Sequence, residues 1–320
     1  MKLAKVNKIK NWILVSGAIR SGTTFTGRVL SLPLEVDYIH EPYNQTHLYP
    51  QEKVSHPYVR PTIDTQRMQE YHEFTKRLFH YDITLPNYVP QNDPLFKKVF
   101  KSVLGSRGPF YLRLAKSNLF HQAAVIKDPV ALFLAEYLHT HFQVKPVILV
   151  KHPVSFIASL KRKNWWDNIP KFANQDSLVE DFFADEPDYL EQKWSNPIEI
   201  TAAYWRAVHK VFFTQSKNYP DWHIVKHEDL SQDPVAVFND LYQKLNLPWS
   251  DSIERQIIEM TGAKGSNKVT SGKVHSLRRN SSEIFQASIE SLSIEERQAI
   301  FDIVQDVALP IYSRESFAID

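Results

Sequence analysis

The 320-residue chain contains no cysteine. Disulfides, thiolate nucleophiles and cysteine-ligated zinc are excluded with it. Nothing approaches the roughly 18 consecutive apolar residues of a membrane span. The basic N-terminus, Met1 to Lys10, leads into an apolar run that Arg20 interrupts too early for a signal peptide. A cytoplasmic location is therefore expected. Net charge is only +2, too small for a general nucleic-acid binder, so affinity for anions has to come from local placement of cations. The thirteen histidines make no metal motif: no H-E-x-x-H occurs, and His139 and His141, two apart on a helix, point to different faces. His121 likewise has no motif around it. There is no Ser/His/Asp hydrolase elbow, no internal repeat and no low-complexity tract.

What is present fits a soluble globular chain, with 43% hydrophobic and 23% charged residues, long enough to bury a core without staples. Short apolar runs at about Ile13–Gly17, Glu35–Ile39, Ala123–Lys127, Lys145–Val150 and His223–Val225 read as buried strands. Between them lie helical patterns over Thr23 to about Ser31, 67–80, Val130–Phe142, Pro153 past Leu160, 198–215 and Pro234–Leu245. Residues from Ser281 to Val304 suit a terminal helix pair. Strands alternating with helices, none joined by two-residue hairpins, predict one α/β domain: a three-layer parallel sheet flanked by helices. An irregular insert, about residues 43–120, interrupts it. In such sheets ligands gather at the carboxyl ends of the strands.

The stretch Gly17-Ala18-Ile19-Arg20-Ser21-Gly22-Thr23-Thr24 joins the first strand to the first helix. Two glycines five residues apart suit a P-loop, in which backbone N–H groups and a helix N-terminus hold an anion. A nucleotide triphosphatase carries Lys after the second glycine, where it reaches the β- and γ-phosphates. Thr23 stands there instead, and the cation has moved to Arg20, in mid-loop. This loop resembles the 5′-phosphosulfate loop of sulfotransferases that use 3′-phosphoadenosine 5′-phosphosulfate (PAPS). A P-loop kinase or nucleotide-binding protein acting on ATP is the alternative. An inactive scaffold of the same fold is a third reading, but it would be expected to have lost Arg20, Lys151 or Glu41.

The resemblance extends to Val147-Ile148-Leu149-Val150-Lys151-His152-Pro153 and on to Ser159. In the family an Arg ends this strand, a Pro follows two residues later and a Ser eight residues after the Arg, and the Arg and Ser bind the cofactor's 3′-phosphate. Lys151 and Ser159 take those places, with Lys keeping the charge but losing the bidentate fork. The family also carries a basic loop near the C-terminus over the 3′-phosphate. Residues 261–281 hold five Lys or Arg, three Gly and no acid, and the candidates there are Arg278 and Arg279. Lys127 reads as structural rather than facing the site, and Glu228 and Asp229 as capping or ion-pairing groups. Trp165 and Trp166 could stack on adenine or a sugar, or pack against the insert.

The resemblance implies sulfuryl transfer from PAPS to a hydroxyl or amine, leaving adenosine 3′,5′-bisphosphate and requiring no metal. The acceptor would be a small molecule, a carbohydrate or a polar lipid, and the insert would form its lid. A general base is expected at a strand end next to the P-loop. Glu41 and His40 both qualify, and the family's Glu-Pro pair after this strand favours Glu41. Glu41 could instead be a structural or substrate-orienting acid.

Overall fold

The central apolar runs become strands because their alternate side chains meet two covered faces. In β1 (Asn11–Gly17), Leu14 points to one face and Ile13 and Val15 to the other, and all three are fully buried. The computed structural model describes residues 9–44, 65–89, 94–95, 101, 105–165, 176–190, 192–261 and 281–319. After β1 come α1 (Thr23–Leu30), β2 (Val36–His40), α2 (Thr65–Phe79), α3 (Arg107–Ser117) and β3 (Ala123–Lys127). A 3-10 turn (Pro129–Leu134) leads into α4 (Ala135–Phe142), then β4 (Lys145–Val150), α5 (Pro153–Lys161), α6 (Asp176–Phe182), α7 (Pro197–Ser216) and β5 (His223–Lys226). The remaining helices are α8 (His227–Gln232), α9 (Pro234–Lys244), α10 (Asp251–Thr261), α11 (Ser281–Glu290) and α12 (Ile294–Ala308).

The five strands lie in the order β2-β3-β1-β4-β5, and every neighbouring pair is parallel. Ile13, Val15, Val125, Val147 and Leu149 pack with Leu30, Phe238, Leu241 and Ile257 of α1, α9 and α10. Leu14, Ile126, Ile148 and Val150 pack on the other face with Phe156, Trp205, Phe212, Ile300 and Val304 of α5, α7 and α12. This is the three-layer α/β arrangement the sequence predicts. No helix among the described residues is long and apolar enough to cross a membrane.

Chain order sets where a site can form. From β1 the chain moves to one side, through α1 to β2 and back to β3. It then crosses to the other side for β4 and β5. Connections therefore leave in opposite directions from β1 and β4, and a crevice opens at their carboxyl ends. Gly17 ends β1 with φ 145°, and a Cβ there would lie 2.4 Å from the Leu149 carbonyl oxygen. Only glycine lets β1 and β4 approach so closely at this point. Four helices escape the sequence reading: α3, begun by a Gly108-Pro109 pair that resembles a breaker, and α6, α8 and α10. The helical pattern predicted from Val130 begins instead as the 3-10 turn and becomes α-helix only at Ala135.

Candidate functional site at the carboxyl edge of the sheet

The turn between β1 and α1 gathers backbone N–H groups and a cation. Gly22 is the N-cap of α1 with φ 95° and offers no side chain. Helix geometry leaves the first N–H groups of α1 without intrahelical acceptors. Phe25 and Thr26 N–H both return to the Gly22 carbonyl, at 3.0 and 3.1 Å, which closes the turn. The Ser21 hydroxyl is buried without a hydrogen-bond partner among the described residues. Arg20 adopts φ 68°, unusual for a non-glycine residue, and such strain is held where surrounding structure over-determines it. Its Nε donates to Ser159 Oγ of α5 at 3.3 Å, and its guanidinium lies 5.5 Å from the centre of the Trp165 ring.

Around Arg20 the strand ends add more positive charge. Lys151 follows β4 and is buried. Burial pulls its ammonium down to about 8, with Arg162 and Arg20 pushing the same way and Glu228 opposing. Burial and Arg162 likewise work against the charge on Arg20, though a guanidinium stays protonated. His227, after β5, lies over the turn: a Cβ on Gly22 would sit 3.1 Å from its ring. Burial, Lys151 and Arg20 pull it down to about 3, so it is neutral. Desolvated cations repelling one another are a pre-paid cost that a bound dianion relieves.

The nearby acid is already engaged. Glu228 receives the His152 backbone N–H at 3.0 Å and the Tyr312 hydroxyl at 3.0 Å. It also stands in the first turn of α8, and its charge is coupled to that of Lys151. Asp229 does pair, with Lys226 at 3.7 Å. The sequence reading does not single out His227 or Arg162. The parallel strand-end rule applied to β5 would have singled out His227.

A second group stands at the ends of β2 and β3. The sequence reading places its base on the strand next to the loop, but β3 intervenes, so β2 lies two strands, roughly 10 Å, from β1. The two groups are linked by Lys127. It is buried at the end of β3, in register with both Val15 and His40, and its ammonium hydrogen-bonds the Glu41 carboxylate. His40 Nε2 is 3.7 Å from the same oxygen, and His40 Nδ1 meets the Tyr38 hydroxyl at 2.9 Å. Burial acts to raise the Glu41 carboxyl, but Lys127 and His40 outweigh it and hold it below the usual range. Glu41 is thus ionised, and its side chain remains 25% exposed.

Its backbone, at φ 51°, is also strained, and the Glu41 N–H continues the ladder by bonding the Lys127 carbonyl at 2.8 Å. Asp128 anchors the following residues by accepting the Tyr43 N–H at 2.7 Å.

The structure therefore brings Arg20, Ser159 and Trp165 together, with Lys151 and His227 close by. It brings Glu41 together with His40 and Lys127. Ser159 is touched by Arg20, a pairing the sequence reading did not anticipate. Arg278, Arg279 and Trp166 lie outside the described residues. His121 sits at the opposite edge of the sheet, bonded to Asp37 at 2.6 Å, and His139 and His141 lie on α4, so none of the three reaches the carboxyl edge.

A family model described as "Sulfotransferase family" matches residues 13–251. The chain belongs to the sulfotransferase family. No curated protein matches the sequence of this sulfotransferase. Among solved structures it is similar to the sulfotransferase domain from the curacin biosynthetic pathway, at 14% identity and a TM-score of 0.43, covering 97% of this chain and 96% of that one. It is similar also to the sulfotransferase domain of the Synechococcus PCC 7002 olefin synthase, at 14% identity and 0.44, covering 93% and 96%. Sulfotransferase STF9 from Mycobacterium avium gives 12% identity and 0.42, covering 91% and 79%.

Proposed function

We propose that this sulfotransferase moves a sulfuryl group from PAPS to a hydroxyl or amine of a small-molecule, carbohydrate or lipid acceptor. The observation that carries the reading is the concentration of cations at the Gly17–Gly22 turn, where buried Lys151 and half-buried Arg20 both feel the charge of exposed Arg162. PAPS would supply an activated sulfuryl group, and its diphosphorylated remainder would leave as adenosine 3′,5′-bisphosphate. The N-terminal amides of α1 and the guanidinium of Arg20 stabilise negative charge on the 5′ side. Lys151 faces the 3′-phosphate, with Ser159 held in place by Arg20. Glu41, ionised and partly exposed, accepts the proton of the acceptor hydroxyl. Lys127 steadies Glu41 and stands between the two halves of the site.

The acceptor side is assigned to the segment 43–120. Within it α3 lies on β2 and sets the Tyr111 ring 4.7 Å from Tyr38 and 6.3 Å from His40. Tyr111 thereby walls the approach to Glu41.

Calorimetric titration tests the donor assignment. Adenosine 3′,5′-bisphosphate is expected to bind tightly and ATP with Mg²⁺ weakly; the reverse order would return the loop to a kinase-like role. Lys151→Ala is expected to weaken the bisphosphate by about 10- to 100-fold, the range for a charge-assisted hydrogen bond. Unchanged affinity would remove Lys151 from the 3′ side.

The same titration has a pH signature. The free ammonium of Lys151 titrates near about 8 and must be charged to hold a phosphate. Affinity is therefore expected to fall as pH rises through 8 in the wild type but not in Lys151→Ala. A flat wild-type profile between pH 7 and 9.5 would contradict this.

A further inference from the structure

Lys151 is held from three directions, and two of them come from the last residues of the chain. On the inner side, Trp205 Nε1 of α7 donates to the Lys151 carbonyl at 2.9 Å. The other two grips act through His152, the next residue. Its backbone N–H is bound by Glu228, and the free oxygen of Glu228 takes the hydroxyl of Tyr312. Its side chain is buried and lies between the rings of Tyr312, Phe317 and Phe285, at 4.7, 4.6 and 5.2 Å.

The hydrogen bonds fix the state of this imidazole. Nδ1 accepts the Val154 N–H at 3.3 Å, which makes His152 the N-cap of α5. The ring is neutral, because burial pulls it down to about 3. Nε2 therefore carries the proton and donates to Ser316 Oγ, 3.0 Å away. Ser316 in turn donates to the Ser313 carbonyl, leaving its oxygen lone pairs for His152. Tyr312 and Ser316 thus grip one residue from two sides, one through Glu228 and one directly. Packing alone would not need this complete donor–acceptor chain; capping α5 needs only Nδ1.

We propose that the C-terminal turn Tyr312–Phe317, acting through His152, is a positioning element that sets Lys151 for the 3′-phosphate. This rests on the donor reading above, in which Lys151 faces that phosphate. His152 touches no ligand; it fixes the backbone from which Lys151 projects. Phe285 extends the same contact to α11, so the chain past residue 281 is mechanically tied to the strand end that carries the cation.

The experiment compares adenosine 3′,5′-bisphosphate with adenosine 5′-phosphate by calorimetry in four full-length proteins: wild type, Lys151→Ala, His152→Asn and Ser316→Ala. Asparagine can still cap α5 but cannot reach Ser316. The readout is the ratio of the two dissociation constants, which general loss of stability would not move selectively. In Lys151→Ala the preference for the bisphosphate is expected to collapse. In His152→Asn and Ser316→Ala it is expected to drop about five-fold or more, a displacement effect, while 5′-phosphate affinity stays within about two-fold of wild type. If Lys151→Ala loses the preference and the other two keep it, the positioning role is wrong and the donor reading stands. If Lys151→Ala keeps the preference, the donor-side assignment fails and the proposal falls with it. Should His152→Asn not fold, Ser316→Ala decides alone, since Ser316 is only half-buried.

Discussion

Arg20→Ala is expected to lower the rate of sulfuryl transfer by roughly 10³-fold or more, with the fold intact. The size follows from what the side chain is free to do. Among described residues its guanidinium makes one hydrogen bond, from Nε to Ser159, so its two terminal nitrogens remain for charge that develops on the donor. A preorganised donor of this kind is worth about 10²–10³ in rate, and an arginine on a transferring group about 10³–10⁵. The fold should survive because removing Arg20 also relieves its repulsion with Arg162 and Lys151. Arg20→Lys should fall between, keeping charge but losing the fork and the Ser159 bond. Release of adenosine 3′,5′-bisphosphate from PAPS, with thermal melting as the control for folding, measures both. Wild-type turnover in Arg20→Ala would falsify the role given to the loop.

The loop itself was legible because it is local. Two glycines, a cation and a run of hydroxyls lie within eight residues, and their chemistry depends on the turn more than on distant partners. The central strands were legible for a different reason: both faces of the sheet are covered there, so β1, β3 and β4 are almost unbroken apolar runs. Strand order was not legible. Nothing in the composition of β2 or β3 says which pairs with β1, and so Glu41 was expected beside the loop while Lys127 occupies that neighbouring strand. Helix α3 was hidden by Gly108-Pro109, yet a proline in the first turn needs no N–H and begins a helix without cost. The grip on His152 was invisible for a third reason. Its partners Glu228 and Ser316 lie 76 and 164 positions away, and neither forms a motif with it.

Glu41→Gln is expected to cut turnover about 10²–10⁴-fold, the usual worth of a positioned base, with little change in affinity for adenosine 3′,5′-bisphosphate. Glutamine keeps the shape but cannot take a proton, and Lys127, buried beside it, loses its counter-charge. Some loss of stability should follow, less than for a fully buried pair because the carboxylate is partly exposed. A fall in donor affinity with unchanged turnover would instead make Glu41 a structural acid.

The pH–rate profile separates Glu41 from its neighbour. A base must be ionised, and Glu41 is held below the ordinary carboxylate range. Activity should therefore persist as pH falls and be lost only below about 4.5. An acid limb well above the carboxylate range would transfer the role to His40. Lys127→Met makes the two readings diverge further. Without the ammonium, burial is left to raise the Glu41 carboxyl with its largest opposing charge removed. The acid limb should then move upward, toward neutral pH. If His40 were the base, losing a nearby cation would also favour its charged form, but the limb would start above the carboxylate range. The starting point of the limb in the wild type, and not the direction of the shift, is what assigns the proton.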